Sequence, residues 1–190
     1  MKSRVQHLVL LLSLVVAASE SAAAKIIYTP MNVTVSGSGF LKIDLNHNGI
    51  TDVSIVLSGH TFFCAMPAGL TGSTGSIYAL PASRAGTVAN GNYVLALTGG
   101  ANIGPGRYFY SPEGVMWRYS TCGIPSGFST GAWQNVSNRY LGIKFLINGY
   151  RHYGWARLTV TRTKYGPVVT LTGYAYETDA GRSILAGATS

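Results

Sequence analysis

Carboxylates are what this chain has least of. Six Asp and Glu stand against 14 Lys and Arg in 190 residues, and charged side chains make up only 11% of the sequence. Chemistry that relies on a placed pair of carboxylates therefore has few candidates. Cysteine is scarce too, at two residues, which excludes a disulfide-dense miniature scaffold and any C-x-x-C metal or redox pair. Segments with a sustained 3.6-residue period are missing beyond the first two dozen residues, which excludes a helical bundle. The H-E-x-x-H and phosphate-loop patterns do not occur.

The N-terminus reads as an export signal. Lys2 and Arg4 precede the apolar run Leu8–Ala18, and the small residues ending in Ala22-Ala23-Ala24 fit an A-x-A cleavage pattern. The run is shorter than the ~20 helical residues that span a bilayer, and no later stretch is long and apolar enough to do so. The expectation is a signal peptide over 1–24, cleavage after Ala24, and a secreted or periplasmic chain 25–190 with no transmembrane segment. Without Lys2, Arg4 and Glu20, the 14 basic and 6 acidic residues become 12 and 5, a formal charge of +7. Such an excess favours a polysaccharide or an anionic envelope surface as partner, and export argues against nucleic acid. Export also permits Cys64 in FFCAMP and Cys122 in STCGIP to pair as a disulfide. Closing so long a loop would stabilise the chain by about 4 kcal/mol.

Gly is abundant at 24 residues, and short β-branched or alternating runs recur between Gly, Pro, Asn and Ser. This predicts strands near Ile26–Tyr28 with Asn32–Val35, Phe40–Asp44, Asp52–Leu57, Ser76–Ala79, Tyr93–Leu97, Met116–Tyr119, Arg139–Ile147, Arg151–Thr161 and Val168–Tyr176. Such a pattern fits one all-β domain, an antiparallel β-sandwich of jelly-roll type. GLTGSTGS and TGGANIGPG read as surface loops that bury little. The clearest local signal is Asn148-Gly149, the preferred pair for a type I′ hairpin turn. A two-residue turn there pairs Phe145 with His152, Leu141 with Ala156, and Arg139 with Leu158, an apolar face expected to point inward. The opposite face then carries Tyr140 beside Arg157, Gly142 beside Trp155, Lys144 beside Tyr153, and Leu146 beside Arg151.

Between two predicted strands lies DLNHNGITD, Asp44–Asp52. It places oxygen donors at Asp44, Asn46, Asn48 and Asp52, with Gly49 at the sharp turn and the Ile50 carbonyl where a backbone ligand would fall. Position 12 is Ile55, which continues an inward alternation, so an EF-hand is excluded. The run resembles the D-x-[DN]-x-[DN]-G-x-x-D turns of exported proteins, FG-GAP calcium loops among them. That resemblance implies a structural Ca²⁺ held by Asp44, Asn46, Asn48, Ile50 and Asp52, with weak affinity on the order of 10⁻⁴ to 10⁻³ M. Glu177 and Asp179 are the candidates for a distant acid that completes the shell. The competing reading is a polar turn whose side chains bond their own backbone. His47 reads as a solvated loop residue, since histidine suits softer metals.

Catalysis finds little support: Glu113 in SPEGVMW and Glu177 in YETDAG are the candidate acids for a glycoside hydrolase, without a partner of telling context. His152 opposite Phe145 reads as a core histidine. The aromatic and basic face of the hairpin, Tyr140, Lys144, Arg151, Tyr153, Trp155 and Arg157, offers a carbohydrate-binding surface through stacking and charge. The segments YLGIKFLINGYRHYGWARLTV and VVTLTGYAYETDAGRSILAG resemble the C-terminal part of exported bacterial β-proteins of the PEP-CTERM-associated type. The chain stops at GATS without the sorting tail of that type, so the resemblance implies export and fold, while sorting-dependent anchoring is not implied. The expected function is a non-catalytic extracellular or envelope structural or adhesion module with a calcium-stabilised hairpin. The alternatives are a carbohydrate-binding module and a glycoside hydrolase.

Overall fold

The computed structural model describes residues 25–64, 71–121 and 127–190. These form strands and turns, and no helix occurs among them. In chain order the strands are β1 (Ile26–Ser36), β2 (Gly39–Ile43), β3 (Val53–Phe63), β4 (Thr71–Pro81), β5 (Gly86–Asn90), β6 (Tyr93–Val94) and β7 (Asn102–Ile103). There follow β8 (Phe109–Tyr110), β9 (Gly114–Ser120), β10 (Phe128–Thr130), β11 (Val136–Ile147), β12 (Tyr150–Thr163), β13 (Gly166–Glu177) and β14 (Ile184–Leu185). The all-β expectation holds. The export signal and Cys122 lie outside the described residues; Cys64, just past β3, is buried and not free.

Twelve strands make one sheet in the order β1-β13-β12-β11-β5-β6-β9-β4-β3-β2, with β8 on β5 and β10 on β9. Pairing is antiparallel except for the single contact of Tyr93 with Val115, which joins β6 to β9. Two meanders, β2-β3-β4 and β11-β12-β13, are linked through β5, which pairs with β11 by Ile143↔Thr87 and with β6 by Ala89↔Val94. The sheet curls until its two halves face each other and are close to a closed barrel. Gly59 of β3 comes so near the start of β13 that a Cβ there would lie 2.8 Å from Pro167 Cδ. Gly37, between β1 and β2, donates its N–H to the Pro167 carbonyl at 3.1 Å.

Strand alternation fills the space between the halves. Leu41, Ile43, Val53, Ile55, Leu57, Ile77 and Trp117 from one half meet Leu141, Ile143, Phe145, Leu158, Val169 and Leu171 from the other. The β11–β12 register is the one that the Asn148-Gly149 turn dictates, with Phe145↔His152, Leu141↔Ala156 and Arg139↔Leu158. Asn148 and Gly149 both have positive φ, 50° and 84°.

Two expected loops are corrected. In GLTGSTGS, residues 71–76 belong to β4 and pair with β3, and opposite β9 Gly75 leaves room for the Tyr119 ring, which would lie 2.5 Å from a Cβ. In TGGANIGPG, Ile103 is fully buried and β7 pairs with β14 as a small ribbon. That ribbon and the segment around Leu97 cover the outer side of β11–β13. Val88, Leu97, Ile103, Ile184 and Ala186 there form a second apolar cluster with Tyr153, Trp155 and Ala175.

Candidate functional site

The Asp44–Asp52 loop joins β2 to β3 as the alternation predicts, with Ile43↔Val53 the last ladder pair. Asp52 anchors its base: the Asp52 N–H donates to the Ile43 carbonyl at 2.8 Å, and its carbonyl accepts from the Ala82 N–H at 2.8 Å. His47 and Gly49 take positive φ, 56° and 85°, so the chain turns tightly. The Asp44 carboxylate accepts the N–H groups of Asn48 at 3.3 Å and Gly49 at 2.7 Å. Asn48 Oδ1 accepts from the Ile50 N–H, and Asp52 Oδ2 from the Leu45 N–H, each at 2.8 Å. The loop thus satisfies much of its own backbone.

What it leaves over is oxygen. Asn46 Oδ1 is buried and has no hydrogen-bond partner, a costly state for an amide oxygen. Asp52 is 6% exposed. Burial pushes its carboxyl up to about 6; the Leu45 N–H opposes this, and the nearby Asp44 charge adds to it. Two carboxylates that repel, and an amide oxygen without a donor, are a set of hard oxygens that a divalent cation would satisfy. Among the described residues no group of three or more His, Cys, Asp and Glu is placed to hold a metal; the loop combines two carboxylates with two amides.

The loop is also fastened to the opposite half of the sheet. Leu45 is fully buried over Gly154 of β12, where a Cβ would lie 2.5 Å from Leu45 Cδ2. His47, exposed as expected, is nonetheless tied to β1 and β13: its Nε2 lies 3.0 Å from Thr29 Oγ1 and 3.4 Å from the Tyr174 hydroxyl.

The other predicted residues divide. Tyr153 and Trp155, expected on an open binding face, are each 1% exposed. The ribbon of β7 and β14 covers them, and Trp155 Nε1 donates to the Ala188 carbonyl at 3.1 Å. Tyr140 packs edge-on against Trp155 at 5.2 Å, and Arg157 donates to Thr172 Oγ1 at 2.7 Å. Lys144 sits 5.4 Å from the Phe109 ring centre, and burial, then the Arg151 charge, hold its pKa below the usual lysine value. Of the six, Arg151 alone is exposed. The hairpin face is therefore a second core in place of a stacking surface, because rings beside Gly142 attract an apolar cover.

The candidate acids differ in their surroundings. Glu113 is exposed before β9, whereas Glu177 is 4% exposed at the end of β13. Glu177 and Asp179, the candidates for completing the cation shell, instead face Arg182 at 3.8 and 3.6 Å. Glu177 is the one acidic side chain in the cavity lined by Lys25, Ile26, Arg182, Thr189 and Ser190. His152 is buried, with Nδ1 3.0 Å from the Glu177 carbonyl, as a core histidine should be. One pattern escaped the sequence reading: Gly127-Phe128-Ser129-Thr130-Gly131 has the letters of G-x-S-x-G. Ser129 accepts from Trp117 Nε1 at 2.9 Å and donates to Gln134 Oε1 at 2.7 Å, so it lacks the histidine base of a nucleophile. Comparison with protein-family models, curated proteins and solved structures finds no match for the chain.

Proposed function

We propose that the chain is an exported, non-catalytic structural or adhesion module whose β2–β3 hairpin is stabilised by calcium. The observation that carries the calcium reading is Asn46 Oδ1, buried without a donor in a loop that also holds two mutually repelling carboxylates. Asp44, Asn46, Asn48, the Ile50 carbonyl and Asp52 would hold the ion, and its charge would offset both the repulsion and the burial of Asp52. The residues themselves fix the turn: Asp44 gathers the N–H groups of Asn48 and Gly49, and Asp52 holds the hairpin's base. Because Leu45 and His47 reach the opposite half, a firmer loop closes the seam between the halves. Burial of Tyr153 and Trp155 favours this structural role over a carbohydrate surface on the hairpin. Glu113 is exposed and Glu177 is held by Arg182, which favours it over hydrolysis.

The test is thermal melting of the mature chain in EGTA and in millimolar Ca²⁺. Calcium should raise Tm by several degrees, through the mass-action stabilisation of about 1–3 kcal/mol expected at ~10–100 times a weak Kd. Equal melting curves in the two buffers would refute the calcium reading.

A further inference from the structure

Among the described residues, nothing covers the outer face of the other half-sheet. Ladder registers align His60, Thr74, Ser120 and Phe128 in one cross-strand row of β3, β4, β9 and β10. The adjacent row is Ser58, Ser76, Arg118 and Thr130, with Tyr78 beyond it opposite Val56. These rows form an open, shallow groove of about 130 Å³ between the Tyr78 and Phe128 rings. Phe128 is 53% exposed, and Ser58, His60 and Arg118 are exposed as well.

Among the described residues most polar side chains of this groove lack partners; Thr74 is the exception, its hydroxyl donating to the Tyr119 carbonyl at 2.9 Å. Both ion pairs among the described residues use Arg182, and Arg118 makes none. The Tyr78, Ser58 and Ser76 hydroxyls make no hydrogen bond there either, and His60 has only a ring contact with Phe62 at 6.4 Å. No Asp or Glu lines the groove. Asp52 and Glu113 precede β3 and β9, whereas His60 and Arg118 lie toward the far ends of those strands. The site therefore offers one uncompensated guanidinium, a histidine, several hydroxyls and two aromatic rings on a flat face.

We propose that this groove binds a uronate-bearing polysaccharide. A guanidinium takes a carboxylate with paired, charge-assisted hydrogen bonds. Hydroxyls in rows match the alternating donors and acceptors of a sugar ring, and the exposed rings offer apolar faces to its C–H groups. A shallow, open groove suits a single unit of a long chain lying across the strands, not an enclosed small molecule. The +7 charge of residues 25–190 draws such a polymer toward the surface. This proposal does not rest on the calcium reading.

Affinity electrophoresis in gels containing polygalacturonate, run in EGTA, tests it without interference from the loop. The wild-type chain should be retarded by polygalacturonate and not by dextran. Arg118→Ala should weaken retardation at least about tenfold, the scale of a lost charged hydrogen bond. Ser76→Glu, which puts a carboxylate beside Arg118, should abolish it, and Lys164→Ala, away from the groove, should leave it within about twofold. Near-UV circular dichroism confirms that each variant is folded. The proposal is overturned if the wild type is not retarded, or is retarded equally by dextran. It is also overturned if single-stranded DNA or anionic vesicles bind more tightly than polygalacturonate through the same arginine. Folded Arg118→Ala and Ser76→Glu variants that bind like the wild type would overturn it too.

Discussion

In β12 and β13 the side chains on both faces are buried: Leu158, Val160 and Leu171 look toward the central core, while Tyr153, Trp155 and Ala175 look outward into a second one. In β3 burial alternates with exposure, Val53, Ile55 and Leu57 inside against Ser58 and His60 outside. Among the described residues, one sheet thus has a half clothed on both sides and a half bare on one. An antiparallel sheet needs only one covered face to fold, so the cover over Trp155 is an addition that stability alone does not demand of β3 and β4. The bare half keeps its backbone ladder and core face, and its outer row is free to carry chemistry. The proposed polysaccharide groove lies on the half that the described residues leave uncovered.

The largest effect should come from stripping the clothed half. Trp155→Ala removes a fully buried indole and its hydrogen bond to Ala188, and should cost about 3–5 kcal/mol in chemical denaturation. Phe128→Ala on the bare face should cost under about 1 kcal/mol. Equal losses at the two sites would mean that the ribbon of β7 and β14 does not seal the second core in solution.

The seam between the halves comes next. Asp52 has its folded pKa raised from 3.8 to about 6. Its contribution to stability is therefore complete below the unfolded pKa and lost as pH rises through 6, a difference of about 3 kcal/mol at most. In EGTA the wild type should lose stability between pH 4 and pH 7 relative to Asp52→Asn, which keeps an acceptor for the Leu45 N–H and removes the charge. Calcium at pH 7 should restore the wild type and leave the variant unchanged. Parallel pH curves for the two proteins in EGTA would show that the carboxylate is not desolvated.

How far sequence could see follows the range of the contacts. The β11–β12 register was legible pair by pair, because Asn148-Gly149 sets it locally and period-2 alternation carries it along both strands. The ends of the Asp44 loop were legible for the same reason: a polar nine-residue run sits between two apolar alternations. The cover over Trp155 was not, since it arrives from Ile103 and Ile184, in segments rich in Gly and Ala that look unable to bury anything. β5, with the sequence GTVAN, escaped notice although Thr87 and Val88 are buried, being too short to show a period. The burial of the Asn46 oxygen is a property of the folded loop, and no spacing rule contains that information. The bare groove is likewise assembled from Ser58, Ser76 and Arg118 on three strands, ordinary residues in each strand taken alone.

The smallest effects sharpen the contrast most, because they alter no charge and remove no ring. Gly142 lies beside Trp155 on β11, where a Cβ would meet Val88 Cγ2 at 2.6 Å and Leu97 Cδ1 at 3.0 Å. Gly142→Ala must push the cover off the sheet, and should cost about 1–3 kcal/mol despite the better strand propensity of alanine. On the bare half, Ser76→Thr adds one methyl to an open surface between Ser58 and Arg118. There only propensity and cross-strand packing act, so the change should fall within about 0.5 kcal/mol and lean toward stabilisation. Opposite signs for one added carbon on two outer faces of the same sheet would show that cover, not strand chemistry, distinguishes the halves. A destabilising Ser76→Thr of similar size would mean that something also packs on the bare face.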